Sequence, residues 1–184
     1  MSEREICEYA AQKGLHPQTL ERWLRWQATD RDALEELAVS LKIGENHLRD
    51  MMDWLEEIAL RDRMPIAQVL ASKAIDDWRT DPRLGRADKL KRIKEQLRRK
   101  RFPRLAKTED EIETRIRALK LHPEIRLSVP PGLEGGRLHV EFSAASVADL
   151  RAFAAKLGEA ANSSTAAEIF QYLAGKENER DHGT

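Results

Sequence analysis

The residues with the clearest chemical potential lie between Arg83 and Arg104, where eleven Lys and Arg side chains stand against only Asp88 and Glu95. Cations crowded in this way attract a polyanion, because each phosphate they neutralise releases condensed counterions. The flanks have the opposite balance. Residues 1–82 hold eleven basic and seventeen acidic side chains, and residues 105–184 hold ten and thirteen. The formal net charge of +0 therefore conceals a basic middle between acidic ends.

The basic tract has helical periodicity from Arg86, with Ala87, Leu90, Ile93 and Leu97 forming a narrow apolar stripe. Lys89, Arg92 and Arg99 flank it on one side and Lys91, Lys94 and Arg98 on the other, with Lys100 and Arg101 at the end. Phe102-Pro103 stops the helix, because proline cannot continue the hydrogen-bond ladder. Helices that are only solvated tend to mix signs for i,i+4 pairing. This imbalance points instead to a phosphate-contacting surface, which grips without reading sequence.

Catalytic chemistry has little foothold. His16, His47, His122, His139 and His182 are scattered without metal-ligand spacing, and Cys7 is the only cysteine. The glycine-rich GLEGG at 132–136 lacks the Lys-Ser/Thr and following helix of a phosphate loop. No enzyme activity, metal or cofactor is expected.

The elements that must position the basic tract are mainly helical, since Ala, Leu, Glu, Arg and Lys dominate outside residues 125–142. Residues 1–80 are expected to form a helix-turn-helix-like bundle. Ile6, Tyr9 and Ala10 make the inner face of a first helix, Gly14 the turn, and Pro17 the start of a second helix carrying Leu20, Trp23 and Leu24. That spacing turns Gln18, Thr19, Arg22 and Arg25 outward, where they could reach base edges or phosphates. A plain helical hairpin has the same spacing, and both readings stand. Residues 33–57 repeat the pattern, with Gly44 in the turn, but the second helix there exposes Glu45, Asp50 and Asp53, which repel phosphate and favour a scaffolding role. One further helix is predicted across 64–78, and Asp81-Pro82 with Gly85 mark a boundary before the basic helix at 86–104.

Residues 108–174 read as an α-β-β-α module. Thr108 and Glu111 form a capping box for its first helix. Ile125, Leu127 and Val129 then alternate with polar residues, as do Leu138, Val140 and Phe142 after the turn, which predicts a β-hairpin. Ser146 caps a helix bearing Leu150 and Phe153, Gly158 ends it, and a last helix lies near 164–174. Residues 175–184 are expected to be a disordered tail. An isolated hairpin is marginal in water, so pairing of two copies edge to edge through this module predicts a homodimer.

The string GGRLHVEF followed by a Ser-capped helix with Asp149-Leu150 resembles the C-terminal dimerisation domain of ParB-type bacterial partition proteins. The stretch EELAVSLKIGENHLRDMMDWLEEI is similar to their central helix-turn-helix, in the same order. The arginine-rich nucleotide-binding part of that family has no counterpart here, so CTP-dependent clamping is not implied. The resemblance implies DNA binding and dimerisation through the hairpin. The expected protein is thus a non-enzymatic, dimeric DNA-binding protein. An acidic docking adaptor and an RNA-binding accessory factor are the alternatives. MSEREICEY lacks a signal-peptide layout and no apolar run spans a bilayer, so a cytoplasmic location without membrane contact is expected, on the nucleoid if DNA is the partner.

Overall fold

In the computed structural model, residues 3–175 are described and the chain divides into two units, 1–103 and 104–184. The fold class is the expected one: mainly helix, with a small α+β part near the C-terminus.

In the first unit, α1 (Glu3–Lys13) ends where Gly14 takes a φ of 62°, a conformation that costs glycine little. The His16 ring then accepts from the Gln18 amide at 3.3 Å, and Pro17 opens α2 (Pro17–Leu24). The helices α3 (Ala28–Leu41) and α4 (Glu45–Asp62) are joined through Lys42, which takes the left-handed conformation with φ 53°. The helix predicted across 64–78 is two helices, α5 (Ile66–Leu70) and α6 (Lys73–Thr80), broken at Ala71-Ser72. The buried Asp30 caps the first turn of α5, where its Oδ1 accepts from the Ala67 amide at 2.8 Å.

The basic helix α7 (Arg86–Arg101) is part of this unit and not a separate link. Ile93 and Leu97 are completely buried in the same core as Trp23, Leu48, Leu55 and Ile75. A helix so highly charged is held in place by its apolar stripe.

The second unit opens with α8 (Pro103–Ala118). Pro103 both stops α7 and starts α8, so the expected capping box at Thr108 does not form. Thr108 lies inside α8, with its hydroxyl donating back to the Arg104 carbonyl at 3.1 Å. The hairpin consists of β1 (Ile125–Ser128) and β2 (His139–Phe142), antiparallel, with Ile125 opposite Phe142 and Leu127 opposite Val140. Val129 and Leu138, predicted as strand residues, fall just outside the ladder. The helix α9 (Val147–Ala161) is capped by Ser146, whose hydroxyl accepts from the Asp149 amide at 3.0 Å. It runs through Gly158 and does not end there, because the Asn162 amide still bonds the Gly158 carbonyl at 3.2 Å. The last helix is α10 (Ser164–Leu173). Apart from Gly175, the expected tail lies outside the described residues. Among those residues, no helix is long and apolar enough to cross a membrane.

Candidate nucleic-acid interface

Docking by the Ile93 and Leu97 side divides the cations of α7 into three groups. On the α4 side they are consumed. The Lys94 ammonium donates to Asp50 Oδ2 at 2.8 Å, lies 3.0 Å from His47 Nδ1, and sits 5.4 Å from the centre of the Trp54 ring. Arg101 pairs with Glu57 of α4 and stacks over Phe102 at 4.8 Å. The phosphate contacts expected of Lys94 and Arg101 are thus replaced by contacts within the protein. Both side chains attach α7 to α4, because α4 turns its carboxylates toward the docked helix.

On the α6 side, the Lys89 ammonium donates to the Arg79 carbonyl at 2.9 Å, which gives it a second function at the end of α6. The Arg92 guanidinium lies 4.6 Å from the centre of the Trp78 ring while remaining exposed. On the outward side, Arg86 and Lys91 are exposed, and Arg98 forms a forked pair with Glu95 at 2.8 and 2.9 Å. Arg99 and Lys100 are half-buried, and the Lys100 carbonyl accepts from Arg61 at 2.8 Å. The exposed cations of α7 are therefore Arg86 and Lys91 on its outward side and Arg92 beside α6.

The four residues of α2 expected to face a groove separate in the same way. Gln18 and Arg25 are exposed, with Arg25 held to Glu21 at 2.5 Å. Thr19 is not outward: it is buried, and its hydroxyl donates to Glu45 Oε1 at 2.6 Å. Arg22 is not available either. Its guanidinium donates to both oxygens of Glu56 at 2.9 and 2.7 Å and to Asp53 at 2.5 Å. Trp26 adds a third donor to Glu56, at 2.8 Å. The Glu56 bonds, with the Asp53 bond, hold the Arg22 guanidinium well above its ordinary pKa despite partial burial. Burial works to raise the Glu56 carboxyl, but the bonds from Arg22 and Trp26 outweigh it and hold it below the usual carboxylate range.

Periodicity places the acidic side chains of α4 on an exposed face, but it does not show that they serve two neighbouring helices. Glu45 and Glu56 tie α4 to α2, and Asp50 and Glu57 tie it to α7. The helix is an acidic spine whose carboxylates are turned to its neighbours. One signal is legible in the sequence: Thr19 stands four residues before Trp23, on the side of α2 that Trp23 buries.

In the second unit, the residues expected to dimerise are brought together on one side of the hairpin. Phe142 and Phe153 meet edge to face at 5.8 Å between ring centres. Ile125 is buried, Leu127 is half-buried, and Val140 and Leu150 are 43% and 47% exposed. None of the fifteen residues of α9 is buried, and Val147 is 65% exposed. A groove of about 830 Å³ runs between α8 and β1, lined on its apolar side by Ile112, Ile116, Leu121, Ile125, Leu127 and Val129.

Among the described residues no group of His, Cys, Asp and Glu is placed to hold a metal ion. Comparison with protein-family models, with curated proteins and with solved structures finds no match to this chain.

Proposed function

We propose that the protein binds nucleic acid through the outward side of α7 and acts as a homodimer joined by its second unit. The observation that carries this reading is the division of α7: Ile93 and Leu97 of its apolar stripe are fully buried while Arg86, Lys91 and Arg92 remain exposed. A helix already fixed by its core loses little further entropy when phosphates dock on it. Gln18 and Arg25 of α2 are the remaining candidates for base contact, as both are exposed, whereas Thr19 is buried and Arg22 is held by Glu56 and Asp53. Duplex DNA suits this surface better than single-stranded RNA. The polar side of the hairpin carries Arg126, Ser128, His139 and Glu141, so only the His139 ring could stack on a base, where sheet readers of single strands stack two or three. Binding to DNA would place the protein on the nucleoid, in keeping with the ParB-like order of its segments.

The dimer reading rests on α9. Val147, Leu150, Phe153 and Leu157 form an apolar stripe that nothing within the described chain covers fully. A second copy would cover it, along with the open edge of the two-stranded sheet.

The decisive experiment is affinity for random duplex DNA across a salt series, with the triple variant Arg86→Ala, Lys91→Ala, Arg92→Ala. Log affinity should fall linearly with log salt, at about −0.9 per phosphate engaged, and the variant should show a slope shallower by about 2.7. No binding at low salt, or an unchanged slope in the variant, would refute the reading. An RNA duplex in parallel distinguishes the two polymers.

A further inference from the structure

Unlike α7, the α1 and α3 helices line a groove whose charge is all of one sign. The groove has a volume of about 680 Å³ and is lined by Glu5, Glu8, Tyr9, Glu35, Glu36 and Val39 among others. Its outer carboxylates are partly answered, with Glu8 bonded to Arg4 at 2.8 Å and Glu36 to Arg79 at 2.5 Å. Glu35 at its base is different. It is 2% exposed, and its Oε2 has no hydrogen-bond partner among the described residues. A buried carboxylate oxygen left without a hydrogen bond is unfavourable, so its presence needs a reason beyond stability. Val39, on the same groove wall, is an apolar residue left 50% exposed.

We infer that this groove is a docking site for an arginine-bearing segment of a partner protein, whose guanidinium enters between α1 and α3 to pair with Glu35 while an apolar neighbour covers Val39. Charge complementarity selects a cation, and residues 1–82 carry a surplus of six acidic side chains to attract one. A metal ion fits poorly, as no cluster with ligand geometry exists among the described residues. Guanidinium suits the site better than ammonium, since it is more weakly hydrated and offers a planar fork to a carboxylate. This surface is separate from the outward side of α7, and the inference stands whether or not α7 binds nucleic acid.

The test uses the full-length chain labelled with ¹⁵N and titrated with the blocked tripeptide acetyl-Leu-Arg-Leu-amide. Saturable amide shifts confined to α1 and α3 around Tyr9, Glu35 and Val39 are expected, and the citrulline tripeptide, which lacks the charge, should produce none. Glu35→Gln should weaken the tripeptide at least tenfold while the protein becomes more stable to heat, so lost binding cannot be attributed to lost fold. Val39→Arg, at an exposed position, should block the groove with its own guanidinium and abolish the shifts. Wild-type affinity in either variant would overturn the inference. So would shifts scattered over every acidic surface, or spermidine binding the same residues as tightly as the tripeptide.

Discussion

Glu35 has a consequence that can be measured without any partner. Burial pushes its carboxyl above the ordinary value of 4.5, and the charges of Glu5 and Asp32 push in the same direction. A folded-state pKa above the unfolded one gives stability that is fully present below about pH 4.5 and lost as pH rises through the raised value. Glu35→Gln removes that dependence. The variant should be more stable than the wild type at pH 7 by about 1 kcal/mol or more, and close to it at pH 4. Urea denaturation at the two pH values checks this, and a variant less stable at pH 7 would contradict it. Single residues are the least legible level of the sequence. Glu35 stands three positions before the buried Ala38, at the edge of the inner face of α3, where periodicity alone leaves an acid on either side. Thr19 stands on the side of the buried Trp23, and Arg22 occupies a position that a free helix would turn outward. Their partners, Glu45 and Glu56, lie 26 and 34 residues away, a distance that no local pattern spans.

At the level of elements, α7 combines two roles that its composition keeps apart. The stripe of Ala87, Leu90, Ile93 and Leu97 is visible as a repeat of three and four, but the surrounding charge makes the helix look like a link. The burial of Ile93 and Leu97 makes it core. Leu97→Ala should therefore destabilise the first unit by about 2–5 kcal/mol, the range for a large-to-small change in a packed interior. Denaturant unfolding followed by tryptophan fluorescence would measure it, as Trp23 shares that core. A cost below about 0.5 kcal/mol would mean that α7 is only laid on the surface. Boundaries carried by proline and glycine are legible, as at Gly14, Pro17 and Pro103. The break between α5 and α6 is not, since Ala71-Ser72 carries no such residue and its cause is tertiary. The sequence signals the cap at Ser146 correctly. At Thr108 the same signal misleads, because Pro103 has already opened the helix five residues earlier.

The whole molecule pairs a well-filled unit with a thinly filled one. Nineteen buried residues form the core of the first unit. In the second, the buried apolar residues among those described are Ala106, Leu121, Ala166 and the isoleucines at 112, 125 and 169. So short a set is small for a stable domain of this size. Light scattering at micromolar concentration should give twice the monomer mass, and Leu150→Asp with Phe153→Asp should return the monomer. A wild-type monomer would remove the dimer from the proposal. The general architecture is legible because it depends on period and turn chemistry. The distribution of burial between the units is not, because both halves of the sequence contain apolar stripes of similar quality. Only the fold shows that α4 and α7 cover each other while α9 is left partly uncovered.

A homodimer sealed through α9 would make the amount of protein a condition of its folding. If a second copy completes the module, dilution alone loosens it, and the midpoint of thermal unfolding rises with concentration. A cell making few copies would then hold the second unit partly open, with Val147 and Leu150 presented to chaperones and proteases. A cell making many would hold it closed. Gene dosage would thus set the half-life of this protein as well as its abundance.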